Sequence, residues 1–322
     1  MLILEDLSAE ELDTNAHHWD IKSLSTDNNQ TVLMYGFNAA INKDFQLQYK
    51  DYNRKIYFNN WAPCEFCHID VMGGLNAFEY DLFFDEIYSI CPYTVKWLNS
   101  MYGVDRYKYI FYPFNKRYIS PNKVKSYDVI YHGNIHCQEH IDCLEVISKF
   151  NHRYISQRNN QYSKYITDQN IPYREKLNKI AQSKISVCYN FCPIRPQDIN
   201  PIQSYQSWNT NEAFSEVGKK NIFPQFKGAR MHEAAISKTL NLVYRDQWNV
   251  VEDWYTPDKE FIYFDNKQDL ENKIQDILKN WEDYEYIIDN AYKKVMNYTT
   301  EKFIKPLIAQ FPAPAVLVAK SQ

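Results

Sequence analysis

The sequence predicts an α/β protein made of two doubly wound units. Short apolar runs of strand length alternate with segments of helical periodicity along most of the chain. A polar stretch with a proline, Lys116 to Ser126, interrupts this alternation, and the pattern then restarts. At 322 residues the chain has room for two medium domains.

Residues 1–30 are polar and acidic, with weak periodicity, and read as a short helix and a loop. TVLMYGFN, Thr31 to Asn38, reads as a buried strand ending in Gly36. RKIYFNNW (Arg54 to Trp61) and FFDEIYSIC (Phe83 to Cys91) read as the next two strands. Val95, Leu98 and Met101 then recur at helical spacing, and Gly103 stops that helix. YKYIFYPFN, Tyr107 to Asn115, is a fourth strand. The first unit therefore spans 1–122.

After the linker, YDVIYHGN is a strand ending at Gly133, and EHIDCLEVISKF is an amphipathic helix. HRYISQ, YREKLNKIAQS and KISVCYNF follow as strand, helix and strand. Cys192 to Phe226 is long and mixed, with Pro193, Pro196 and Pro201; such loops are uncommon unless functional, so a cleft-side segment with a short helix near NEAFSEVGKK is expected. A small-residue helix starting near Gly228, an apolar strand, an acidic aromatic loop and the strand EFIYF come next. KQDLENKIQDILKN and WEDYEYIIDNAYKKVMN are helices. The second unit spans 123–299, with residues 300–322 packing back on the first. Two such sheets facing each other form a cleft, and ligands lie beyond the carboxyl ends of the strands.

The formal net charge is −4, which gives no global basic field toward nucleic acid or an anionic membrane. Lys116, Arg117, Lys123 and Lys125 form a dense basic run, explained by a solvated linker. No run approaches the ~18 apolar residues of a membrane span. MLILEDLSAEELD lacks a basic leader region, so a cytoplasmic protein is expected. The seven cysteines read as reduced, mostly buried thiols. CEFCH, Cys64 to His68, has haem-attachment spacing and half of a zinc site. No second ligand pair of clear spacing follows, so the match reads as coincidence and no metal site is expected.

Only seven glycines occur. Gly36 and Gly133 each follow a strand near the start of a unit, where a Cβ would block close approach to a ligand; a plain tight turn explains them equally well. Asn134 extends the second of these loops. The densest signal is PQFKGARMHEAAISKTLNLVY, Pro224 to Tyr244. On a helix starting near Gly228, Arg230, Glu233 and Ser237 share one face. The helix start offers free N–H groups and about half a positive charge, and Lys227 and Arg230 add cations, which suits a phosphate or diphosphate. Glu233 suits a vicinal diol. Together they describe a ribonucleoside diphosphate. A surface ion pair worth only ~0.2–0.5 kcal/mol accounts for the same residues and stays open.

GARMHEAAISKTLNLVY, followed by VVEDWYTPDKEFIYFDNKQDLENKIQDIL and NYTTEKF, resembles the C-terminal domain of GT-B glycosyltransferases, and among them the group-1, CgeB-like branch. Arg230, Glu233, Glu252, Lys259 and Glu260 stand where that branch has its Arg-x-x-Glu-Ala helix, acidic loop and Lys-Glu pair; Asn297 replaces its closing His. In the wider fold two glutamates eight apart contact the donor. Glu233 is the second, near the ribose, and Gln225 occupies the first position. Lys238 and Thr239 stand in place of the usual Gly and Pro.

The resemblance covers roughly residues 175–303. It implies a GT-B-like α/β fold, two Rossmann-like doubly wound domains facing a cleft. It also implies transfer of a hexosyl or pentosyl group from a nucleoside-diphosphate sugar without metal or other cofactor, in keeping with the lack of an Asp-x-Asp motif. Backbone groups near Tyr189 and Asn190 would read the base. His68 and Asp70, after a strand of the first unit, are candidates for the general base of an inverting reaction. The acceptor is open: a glycan, a small molecule or modified DNA. One alternative is a phage-type enzyme glycosylating hydroxymethylated DNA bases; the Asn/Tyr/Lys-rich composition suits it and the negative charge opposes it. Another is a non-catalytic nucleotide-sugar-binding protein on a degenerate GT-B scaffold, favoured by Gln225 and the lost glycine.

Overall fold

The computed structural model describes residues 22–26, 31–35, 43–59, 82–92, 95, 99, 103–119, 123–135, 137–156, 163–193, 222–226, 228–246, 249–308 and 317–318. The chain divides into two compact units. The first is Met1–Phe114 with Cys192–Gln225 and Thr300–Gln322; the second is Asn115–Phe191 with Phe226–Thr299. The boundary expected near Asn122 thus falls inside the second unit, and the segment 192–225 groups with the first.

In the first unit, β1 (Lys22–Thr26), β2 (Thr31–Tyr35), a short helix α1 (Lys43–Leu47), β3 (Arg54–Asn59), β4 (Glu86–Ser89) and β5 (Tyr107–Tyr109) follow in order. β2 to β5 form a parallel sheet in sequence order. β1 adds antiparallel at its edge, and the closing strand Leu317–Val318 pairs antiparallel with β1. The sequence reading placed a loop at β1: KSLST has one large apolar residue, too few to signal a strand. Val32, Met34, Ile56, Phe58 and Ile87 form the core. The helix Thr300–Ile308 packs on this sheet. Phe303 meets Phe58 edge-on at 4.7 Å, and Arg54 Nη1 donates to the Leu307 carbonyl at 3.0 Å. The expected helix over 93–103 lies largely outside the described residues.

A charge cluster ties three of these strands together. Glu86 accepts from Arg54 Nε (2.6 Å), Lys108 Nζ (2.9 Å) and the Tyr88 hydroxyl (2.9 Å). Burial raises the Glu86 carboxyl, but the Lys108, Tyr88 and Arg54 bonds outweigh it and hold the group below its ordinary value. Burial and the Glu86 carboxylate push Tyr88 up to about 12.

The second unit contains β6 (Tyr127–His132), α2 (Gln138–Ile147), β7 (His152–Ser156), β8 (Asp168–Gln169), α3 (Tyr173–Ala181) and β9 (Ser183–Tyr189). A small two-stranded sheet, β10 (Phe191–Pro193) with β11 (Ile222–Pro224), marks the chain's excursion from it. Then come α4 (Gly228–Ile236), β12 (Leu240–Tyr244), β13 (Ile262–Phe264), α5 (Lys267–Lys279) and α6 (Glu285–Val295).

The strand order is β13-β12-β9-β6-β7-β8, and every pairing is parallel. Counted from β6, this is the 3-2-1-4-5-6 order of dinucleotide-binding sheets. The chain runs outward from β6 to β8, crosses back to β9 and runs outward again. Right-handed crossovers then send the helices to both faces. Accordingly α2 packs on α5, while α4 packs on α3 and α6. Covered on both sides, the strands are continuously apolar: Val129, Ile130, Ile185, Val187, Leu242 and Val243 have no exposure. α5 starts at Asn266, whose side chain accepts from the Asp269 N–H at 3.0 Å, a cap worth about 1 kcal/mol.

The end of α4 is unusual. Lys238 sits in the left-handed region (φ 50°). Thr239 N donates to the Ala234 carbonyl (3.0 Å) and Lys238 N to Ala235 (3.2 Å), the bond pair that a glycine normally allows. Lys125 completes the corner. Its Nζ donates to the carbonyls of Ala181 (3.0 Å), Ser183 (2.9 Å) and Lys238 (2.7 Å). Burial pulls its ammonium down to about 8. Lys125, one of the four cations of the basic run, is therefore turned inward. Among the described residues no helix is long and apolar enough to cross a membrane.

Two stability predictions follow from these contacts. Because the Glu86 carboxyl is held low in the folded state, its stabilisation is present above the unfolded value near ~4.3 and is lost as pH falls through the lower folded value. Glu86→Gln should cost about 2 kcal/mol at pH 7, and urea unfolding should show the gap to wild type narrowing as pH falls below the unfolded value. Lys238→Gly should instead stabilise, by about 0.5–1 kcal/mol, since a non-glycine residue at that φ is strained. The surface pair it loses with Asp289 contributes little. A rise of roughly 1–4 °C in Tm is the expected readout.

Candidate functional site

The strand order of the second unit reverses between β6 and β9, so their carboxyl ends bound the crevice where open α/β sheets bind ligands. β6 ends in Tyr131 and His132, followed by Gly133; β9 supplies Ser186 and Cys188. α3 and α4 both start at this edge of the sheet. α3 brings Lys176, and α4 brings Arg230 and Glu233 on one face.

Gly133 has φ +146°, and a Cβ there would lie 2.1 Å from Arg230 Nη2. The positive φ favours glycine here, and a side chain would also make the end of Arg230 shift. Arg230 is half-buried and stands over the Tyr131 ring at 5.7 Å. Burial opposes its charge, but Tyr131, Cys188 and Glu233 more than offset this.

Glu233 lies deeper, at 2% exposure. Lys176 Nζ is 2.7 Å from its Oε1, and His132 Nδ1 is 3.3 Å from its Oε2. His132 Nε2 is 3.2 Å from Ser186 Oγ. Burial, then Lys176 and Arg230, push the His132 imidazole well below its ordinary value, so it is neutral at pH 7. A neutral ring donates from one nitrogen only. The Ser186 hydroxyl can donate to or accept from Nε2, and the carboxylate beside Nδ1 can only accept. Two cations and one carboxylate leave a net charge of about +1, which suits an anion.

Of the residues singled out in the sequence, the structure brings Gly133, Arg230 and Glu233 together. Asn134 continues the Gly133 loop; its main-chain carbonyl accepts from the Tyr131 hydroxyl at 3.3 Å, and its Oδ1 is buried without a hydrogen-bond partner. Asn190 is wholly buried, with Nδ2 3.6 Å from Cys188 Sγ, and the adjacent Tyr189 packs among Tyr131, His140, Phe191 and Tyr244. Glu252 is exposed on the turn Val250–Asp253, whose two valines are buried, and lies beside Tyr263. Glu260 closes the turn before β13, accepting from Thr256 N at 2.7 Å. Gly36, His68, Asp70, Lys227 and the Cys64-to-His68 motif lie outside the described residues. Among the described residues no group of three or more His, Cys, Asp and Glu is placed to hold a metal ion.

Sequence reasoning missed Lys176 and His132. Lys176 belongs to a helix of alternating charges and carries no signal of its own. His132, a polar residue closing an apolar strand beside a glycine, was the available clue. It also missed the knot behind α4. His232 Nδ1 is 2.8 Å from the Tyr255 hydroxyl and its ring stacks on Tyr298 at 5.0 Å; Phe226 stacks on Trp254 at 4.3 Å. Tyr298 belongs to the NYTTEKF stretch, which thus braces the helix that carries the site.

Gly133→Ala should destabilise the protein by about 2–4 kcal/mol, from the strained φ together with overpacking against Arg230. In Gly133→Ala/Arg230→Ala the overpacking part should return, so denaturant unfolding of the double variant should show a smaller loss than the sum of the two single changes.

Residues 160–308, a little under half of the chain, match the family model described as glycosyl transferase-like. No curated protein matches the chain by sequence. Several solved structures share its fold. A variant of S. aureus TarM in complex with fondaparinux, α-GlcNAc-glycerol and UDP is 12% identical with a TM-score of 0.55, over 86% of this chain and 54% of that one. Anabaena HepE in complex with UDP-glucose is 11% identical with a TM-score of 0.57, over 86% and 77%. Sucrose-phosphate synthase from Thermosynechococcus elongatus is 11% identical with a TM-score of 0.54, over 85% and 71%. The chain spans about half the length of TarM. With its parallel sheets and the strand order of its second unit, the protein therefore has the α/β fold of the GT-B glycosyltransferases, built from Rossmann-like domains.

Proposed function

We propose that this protein is a glycosyltransferase that moves a hexosyl or pentosyl group from a nucleoside-diphosphate sugar to an acceptor. The observation that carries the reading is the net positive cluster of Arg230, Lys176 and Glu233, set against Gly133 at the carboxyl ends of β6 and β9. When a sugar leaves a nucleoside diphosphate, negative charge develops on the diphosphate. Arg230 and the first N–H groups of α4 neutralise it, with Lys227 adding a second cation just before the helix. That is the task a metal performs elsewhere, so the reaction needs neither metal nor cofactor. Glu233 accepts from the ribose diol; a carboxylate has about four acceptor sites, and one ammonium does not exhaust them.

Uridine is the favoured base, because the similar HepE and TarM structures hold UDP-glucose and UDP. The Arg-x-x-Glu-Ala pattern favours the CgeB-like branch. The first unit, whose sequence carries Gly36, His68 and Asp70, serves the acceptor in this reading, with His68 or Asp70 as base if the reaction inverts. The inward turn of Lys125 takes one cation out of the basic run and so weakens the case for duplex DNA; the acceptor we favour is a glycan or small molecule.

Calorimetry tests the donor site. Arg230→Ala should weaken UDP binding by ~1.5–3 kcal/mol, about 10- to 150-fold, and leave uridine nearly unchanged. Equal affinity of wild type and variant for both UDP and GDP would sink the reading. Release of sugar from a UDP-sugar by wild type, lost in the variant, separates an enzyme from a binding protein.

A further inference from the structure

We propose that Lys176 is a positioning residue of the donor site, fixing the Glu233 carboxylate in the orientation from which it meets the ribose. This rests on the proposed function and adds a residue that lies far from the helix motif in sequence. A carboxylate with 2% exposure has lost its hydration and needs a cation at contact distance. Lys176, from α3, stands at 2.7 Å from Oε1, with its own side chain 12% exposed. Arg230 acts on Glu233 through space, from the previous turn of α4.

The lysine is itself held. Its ammonium lies 5.0 Å from the Tyr173 ring centre, and α3 packs directly on α4. The other oxygen, Oε2, lies beside His132. Lys176 on Oε1, together with the packing around the buried carboxylate, restrains rotation of its plane. The plane decides where the remaining acceptor sites point, so without Lys176 the carboxylate keeps its charge but loses its aim. Lysine is a compact point charge on a flexible stem, and it serves here because both ends of the contact are packed.

The test compares wild type, Lys176→Met, Lys176→Arg, Glu233→Gln and Lys176→Met/Glu233→Gln. The measured quantity is calorimetric affinity for UDP and 2′-deoxy-UDP, repeated with the GDP pair. Wild type should prefer the ribonucleotide by about tenfold or more. Lys176→Met and Glu233→Gln should each bring that preference close to one, the double variant should be no worse than Glu233→Gln, and Lys176→Arg should restore most of it. A Lys176→Met protein that keeps the preference overturns the inference. So does one that loses UDP and 2′-deoxy-UDP equally, since Lys176 would then touch the diphosphate or merely support the fold. Should Lys176→Met alone not fold, the double variant carries the comparison with Glu233→Gln: equal affinities support the role, and a further loss overturns it. Wild type that binds neither UDP nor GDP overturns the donor site and this inference together. Wild type that binds them without any 2′-hydroxyl preference overturns this inference alone.

Discussion

A carboxylate almost out of water must be compensated at contact distance, and in this protein that requirement ties four elements to one point. Glu233 on α4 draws in Lys176 from α3 and lies beside His132 from β6, and His132 in turn meets Ser186 on β9. Removing one partner of such a pair typically costs 3–5 kcal/mol, because the other charge is stranded. The docking of α4 on the sheet is therefore not adjustable by sliding. Once Glu233 is placed, Arg230, one turn earlier, lies against the main chain after β6, where the positive φ of position 133 favours glycine.

The other end and the back of α4 are fixed by different chemistry. Lys125 gathers the carbonyls at the ends of α3 and α4, and Thr239 Oγ1 donates to the Ile180 carbonyl at 2.7 Å. Behind the helix, His232, Tyr255 and Tyr298 form a buried polar-aromatic group alongside the Phe226–Trp254 stack. A helix start used for recognition gains from such bracing, since a misplacement of about 1 Å weakens charge-assisted contacts and their geometry. The strain at Lys238 is tolerated in this setting, because its carbonyl is one of the oxygens that Lys125 needs.

Much of this architecture was legible because it is local. The strands TVLMY, YDVIYH and SKISVCY announce themselves as apolar runs, and Asn266 caps α5 at the position its sequence suggests. β1 and β8 were not legible: KSLST and the two-residue Asp168–Gln169 are held by pairing with neighbours, not by apolar content. In the site, Arg230 and Glu233 share a helix face three residues apart, which periodicity reveals. Lys176 and Glu233 meet only because two helices pack, and nothing in the spacing of a linear sequence encodes that. Lys238 was invisible for the opposite reason: the left-handed position usually announces itself by glycine, and here the surrounding hydrogen bonds impose it on a lysine.

The neutrality of His132 sets the size of the cluster's positive charge. A protonated imidazole would raise the net charge from about +1 to about +2 and would bind the Glu233 carboxylate as a second cation. Its own burial prevents this, helped by the positive charges of Lys176 and Arg230. The two cations thus keep the histidine uncharged, and the uncharged histidine leaves Glu233 less fully neutralised than a second cation would. A carboxylate in that condition still accepts hydrogen bonds, while Arg230, one turn earlier on α4, keeps its charge despite burial. Charge therefore divides the site along α4, with the acceptor at Glu233 and a cation one turn before it. That order matches a ligand whose hydroxyls and whose phosphates must be held by different groups one helical turn apart.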